Sequence, residues 1–147
     1  MQGKRVSIVH MEIVRESSFI FKERFMRTPE LAVKMMSEFF KGADKEKVYV
    51  VCLNQKCEPL SVELVAIGTS DCAVLGMKDI FKAAILSNAD GIIVLHNHLS
   101  GFAEPSIYDI RFTERLRQAG EMLGIKVNDH IILCDNGEFY SFKNTEK

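Results

Sequence analysis

The alternation of apolar and polar runs along the 147-residue chain predicts its elements one after another. Residues 4–14 set Val6 and Ile8 against Ser7 and Val9, which predicts an extended, strand-forming segment that ends at the polar RESS. Thr28-Pro29 predicts a helix start, a hydroxyl to cap followed by a proline whose missing N–H costs nothing at the first helical position. Leu31, Met35 and Phe39 follow at helical spacing, with Gly42 as the stop. VYVVCL (48–53) is continuously apolar and predicts a strand covered on both faces; LSVELVAIG (60–68) predicts its hairpin partner.

MKDIFKAAILSN (77–88) predicts a helix with Ile80, Phe81, Ala84 and Ile85 on its inner face, and GIIVL (91–95) another buried strand. Residues 106–124 carry the strongest helical pattern, with Ile107, Ile110, Leu116, Ala119 and Leu123 as the apolar side and Gly124 as a left-handed cap. KVNDHIILCD and EFYSF close the chain as two strands around a DNG turn. Helices interleaved with hairpins predict an α/β layered domain with a mixed sheet.

Composition changes this picture little. The hydrophobic fraction is 47%, the charged fraction 27% and the formal net charge −1, so charge gives no support to a broad phosphate-binding face. Cys52, Cys57, Cys72 and Cys134 form no CxxC pair, and reduced, mostly buried thiols are expected. The N-terminus lacks an apolar stretch of signal-peptide or membrane-span length, so a cytoplasmic protein with no membrane partner is expected.

The chemistry concentrates in HNHLSGFAEPSIYD, residues 96–109. Residues two apart on a strand share a face, so His96 and His98 would present neighbouring imidazoles where a buried strand ends. Asp109 could turn back to them from the first turn of the next helix, and two His with one carboxylate leave zinc a fourth position for water. The plainer reading of Ser106 and Asp109 is an S-x-x-D variant of the capping box; for the histidines it is a polar loop. Glu46 is a candidate base because it precedes the VYVVCL strand, although the residues alone favour an exposed charge in DKEK.

His96, His98, Ser106 and Asp109, spaced H-x-H, seven residues, S, two residues, D, match the metal signature of the JAMM (MPN+) branch of the JAB/MPN metalloproteins. HNHLSGFAEPSIYDI, together with DKEKVYVVCLN ahead of it and NDHIIL and FYSF behind it, resembles the RadC branch over roughly residues 28–142. The resemblance implies a three-layer α/β/α fold with a mixed sheet like that of cytidine deaminases, in a domain spanning 28–147 behind an extension at 1–27. It also implies one Zn2+ per chain on His96, His98 and Asp109, with Glu46 as general base and Ser106 as donor to the oxyanion of a tetrahedral intermediate. The implied activity is hydrolysis of a peptide, isopeptide or other amide bond; the alternative is a non-enzymatic accessory role in DNA repair or recombination, for which Arg111, Arg115 and Arg117 would be the local basic patch.

The sequence departs from the RadC pattern at Leu99, where proline is usual and whose replacement would loosen the loop, and at Lys78-Asp79 in place of Arg-Glu. The helix-hairpin-helix region of longer RadC proteins lies outside this sequence. Asp129 and His130 match the family's DH pair but are read as a satisfied polar contact outside the site, and His10 as a surface or satisfied residue.

Overall fold

The computed structural model describes residues 1–68 and 75–144. Its elements run α1 (Pro29–Phe40), β1 (Lys47–Leu53), β2 (Pro59–Ile67), α2 (Met77–Leu86), β3 (Gly91–Asn97), α3 (Ile107–Leu123), β4 (Lys126–Leu133) and β5 (Phe139–Ser141). The five strands form one mixed sheet in the order β2-β1-β3-β4-β5. β3 and β4 are parallel, joined by α3 as the crossover helix, and the other pairings are antiparallel.

Helices cover both faces of this sheet, which is why β1 and β3 read as unbroken apolar runs. On one face Tyr49, Val51, Leu53, Ile93 and Leu95 pack with Met35, Met36 and Phe40 of α1. On the other, Val48, Val50, Cys52, Ile92 and Val94 pack with Ile80 and Phe81 of α2 and Phe112 and Leu116 of α3. The Thr28 side chain accepts a hydrogen bond from Leu31 N–H at 3.3 Å, so the expected cap of α1 forms.

The helix faces differ from the apolar pattern. α1 buries Ala32, Met35, Met36 and Phe40, leaving Leu31 and Phe39 half-buried. Ile85 of α2 is exposed, as are Ile107, Ile110 and Leu123 of α3. The buried stripe of α3 is Asp109, Phe112, Thr113, Leu116 and Gly120, a helical repeat in which only two members are large and apolar. Gly120 lets α3 close on the start of β4, because a Cβ there would lie 2.4 Å from the Ile125 carbonyl oxygen. Gly124 ends the helix at φ 71°, the left-handed conformation that suits glycine.

Residues 4–14 form no strand, and the apolar side chains there, Ile8 among them, are exposed. Their alternation permits pairing, but a strand needs a neighbour to satisfy its backbone, and among the described residues none pairs with them. Phe19, farther along, meets the domain: its ring packs edge-on against Phe39 at 5.3 Å. Cys52 and Cys134 are buried and Cys57 is half-buried, while Cys72 lies outside the described residues. Among the described residues no helix is long and apolar enough to cross a membrane.

Candidate metal centre

β3 runs two residues past its apolar core, and the added pair, His96 and Asn97, is buried. His96 stands opposite Val48 in the β1–β3 ladder and shares its face, the one covered by α3. His98 follows on the same side, and its backbone N–H donates to the Leu133 carbonyl at 2.9 Å. α3 starts over this point, with Ser106 as N-cap and Asp109 in the first turn.

The capping box is complete: Ser106 Oγ accepts from Asp109 N–H at 3.1 Å, and Asp109 Oδ2 accepts from Ser106 N–H at 2.8 Å. It aims the Asp109 carboxylate at the histidines. Asp109 Oδ1 lies 3.2 Å from His96 Nε2, Asp109 Oδ2 lies 3.2 Å from His98 Nε2, and the two Nε2 atoms are 3.3 Å apart. Ligand atoms held at zinc's usual bond lengths around a tetrahedron are separated by ~3.3 Å, which the two imidazole nitrogens match, and either Asp109 oxygen is within reach of one of them. His96, His98 and Asp109 could therefore hold a metal ion, and among the described residues no other group of His, Cys, Asp or Glu converges in this way.

Burial pushes the Asp109 carboxyl up, but hydrogen bonds from His96, His98 and the Ser106 backbone outweigh it and hold the group well below the carboxylate range. The hydrogen bond to Asp109 raises the His98 imidazole above its usual value, with burial opposing. His98 Nδ1 lies 3.0 Å from the Phe102 carbonyl, an acceptor only; the ring therefore donates there and turns Nε2 to the centre. Although Leu99 replaces the usual proline, its loop is tied down by this bond and by Asn136 Nδ2 donating to Gly101 O at 3.2 Å.

Glu46 sits just before β1, two residues ahead of Val48, the partner of His96 at the end of the β1–β3 ladder, and it is near enough to feel the charges of His96, His98 and Asp109. It is half-buried, and burial pushes its carboxyl above the ordinary value, with the His96 and His98 imidazoles opposing and Asp109 adding to the rise. The residue that fixes this segment is Asn97, which the sequence shows only as the spacer between two histidines. Its Oδ1 accepts from Lys47 N–H at 2.7 Å and its Nδ2 donates to the Lys45 carbonyl at 3.2 Å, so the carboxamide grips both neighbours of Glu46. Gly68 N–H binds the Glu46 carbonyl itself at 2.7 Å.

His130 is the second residue that sequence reasoning places elsewhere. Its Nε2 lies 2.9 Å from His96 Nδ1, so the ring touches the candidate centre. Burial holds this imidazole far below its usual range, which keeps it neutral. Asp129 is a satisfied polar contact as expected, accepting from His130 N–H, Lys143 N–H and Ser141 Oγ–H. Arg111 and Arg115 are exposed on α3, whereas Arg117 is half-buried and donates to the Phe142 carbonyl at 3.5 Å. His10 is exposed, 3.9 Å from Glu12. A groove of about 520 Å³ lies between the Phe102–Glu104 loop and the hairpin residues Gly137–Tyr140; it is lined by no residue of the centre and meets it through Phe102, whose carbonyl contacts His98.

A family model described as the RadC-like JAB domain matches residues 26–147. A UPF0758 protein of Desulforudis audaxviator is 43% identical over 118 residues, covering 80% of this chain and 51% of its own length. Another from Thermotoga maritima is 43% identical over 100 residues, covering 68% of this chain and 45% of its own. A third, from Methanosarcina barkeri, is 34% identical over 122 residues, covering 83% and 53%. The chain thus spans about half the length of the curated relatives it matches.

Proposed function

Since the chain belongs to the RadC-like JAB domain family, we propose that it is a zinc-dependent hydrolase of amide or isopeptide bonds. The observation that carries this reading is the convergence of His96 Nε2, His98 Nε2 and the Asp109 carboxylate, whose ligand atoms all lie within 4.8 Å of one another. When bound, zinc would supply a Lewis acid that polarises the scissile carbonyl and acidifies a water. Glu46 takes a proton from the attacking water and returns it to the leaving amine; its raised pKa suits a group that must both accept and release. Ser106 Oγ spends a lone pair on Asp109 N–H, which leaves its hydroxyl proton to donate to the developing oxyanion. The groove lined by Phe102 adjoins His98, whose Nδ1 meets the Phe102 carbonyl, and offers a place for a substrate chain.

Metal analysis of protein purified without chelator should find about one zinc per chain, the stoichiometry of a single three-ligand site. Glu46→Gln should keep that zinc and lower hydrolysis of fluorogenic peptide and isopeptide probes by at least about 100-fold. Unchanged turnover with zinc retained would remove Glu46 from the mechanism, and zinc-free wild-type protein would remove the metal.

A further inference from the structure

A chain of hydrogen bonds leads away from the candidate centre into the core. His96 Nδ1 lies 2.9 Å from His130 Nε2, His130 Nδ1 lies 2.6 Å from Thr113 Oγ1, and Thr113 Oγ1 lies 2.8 Å from the Asp109 carbonyl oxygen. The chain begins at one ligand residue, His96, and ends on the backbone of another, Asp109. We propose that Thr113 and His130 are positioning residues which fix the ring orientation and tautomer of His96, so that its Nε2 presents a lone pair to the metal; this rests on the metal-binding reading of the site.

The direction of every bond follows from its far end. A backbone carbonyl only accepts, so the single Thr113 hydroxyl proton goes to Asp109 O. The Thr113 oxygen must then accept at its other contact, which puts a proton on His130 Nδ1. His130 is wedged between rings, stacked on Phe142 at 4.7 Å and edge-on to Phe112 at 5.5 Å, so a second ring proton would be a buried charge with no anionic side chain bonded to either nitrogen. Its Nε2 therefore accepts, and the proton in the 2.9 Å contact belongs to His96 Nδ1. With Nδ1 committed to His130, Nε2 is the His96 nitrogen left to give up its proton to a metal, on the side facing His98 and Asp109. Thr113 and His130 are both buried, at 2% and 1% exposure, so bulk water does not supply substitute partners.

Nitrogen-15 NMR of the histidine rings, in zinc-loaded and metal-free wild-type protein, reads the arrangement directly. His130 should carry its proton on Nδ1 in both states, the opposite of the tautomer that free imidazole side chains favour; a proton on Nε2 overturns the proposal. Competition with a chelating indicator then tests the consequence. Thr113→Val, which keeps the shape and removes the hydroxyl, should weaken zinc binding by roughly 10- to 100-fold, while Thr113→Ser stays within about 3-fold of wild type. Wild-type affinity in a folded Thr113→Val protein would also overturn it, and if that variant does not fold, the wild-type tautomer decides. A wild-type protein that takes up no zinc would sink the hydrolase reading, while the His130 tautomer would still be read in the metal-free protein.

Discussion

Asp109 and Asp129 are both buried to within 5% exposure, and both sit beside the imidazole system, yet their surroundings treat them oppositely. Asp109 faces two imidazoles and one backbone N–H, and is held well below the carboxylate range. Asp129 faces two backbone N–H groups and one hydroxyl, all neutral, and burial wins: its carboxyl is raised. Burial alone therefore does not give a carboxylate its role. The partners of Asp109 are side chains that can give up their protons to a cation, whereas those of Asp129 belong to fixed backbone and a short hydroxyl. One aspartate stands where it could share a metal, the other staples β4 to β5 and the segment after it.

The largest expected effect separates the two by metal. Asp109→Ala should weaken zinc binding by at least about 100-fold in chelator competition, because two histidines alone are an incomplete set. A variant that keeps stoichiometric zinc would dissolve the contrast. Asp129→Ala should instead leave zinc affinity within a few-fold and lower unfolding free energy in urea by about 2–4 kcal/mol, since it orphans the buried donors of His130 and Ser141. Loss of zinc at unchanged stability would place Asp129 in the service of the metal as well.

The smallest effect concerns protons. Because the folded-state pKa of Asp129 lies above its unfolded value, the native state holds a proton over the interval in which the unfolded chain has lost it. The stability this group contributes therefore rises as pH falls through the raised pKa, and levels off below the unfolded one near about 3.9. Relative to Asp129→Asn, wild type should gain on acidification from about pH 7, by up to roughly 1.4 kcal/mol for each unit by which the pKa is raised. A relative loss would mean that the three hydrogen bonds outweigh desolvation and that the two aspartates behave alike.

Much of this was legible along the chain. The strands with both faces covered announced themselves as apolar runs, and the H-x-H pair with its S-x-x-D partner is local enough to read as a constellation. The orientation of α3 was not: counting apolar residues favours Ile107, Ile110 and Leu123, all exposed, because the true inner stripe spends Asp109 and Thr113 on polar contacts and Gly120 on close approach. His130 escaped for a different reason. It meets His96 only because β4 lies parallel to β3 with Val94 opposite His130, a pairing 36 residues apart in sequence that no local pattern encodes. Asn97 carried a usable signal: a residue between two same-face histidines must point to the other face, where a buried carboxamide needs partners. The segment at 4–14 shows the converse, since alternation without a neighbour makes no strand.

The capping box has a thermodynamic reach beyond its geometry. Asp109 Oδ2 is shared between the first turn of α3 and the candidate centre, so fraying at that turn and loss of a bound ion would be one coupled event. A cation bound to the folded state alone would tighten the start of α3 by mass action. Amide hydrogen exchange at Ser106 and Asp109 should then slow when zinc is added and quicken when it is chelated, making the helix start a reporter of occupancy that needs no substrate.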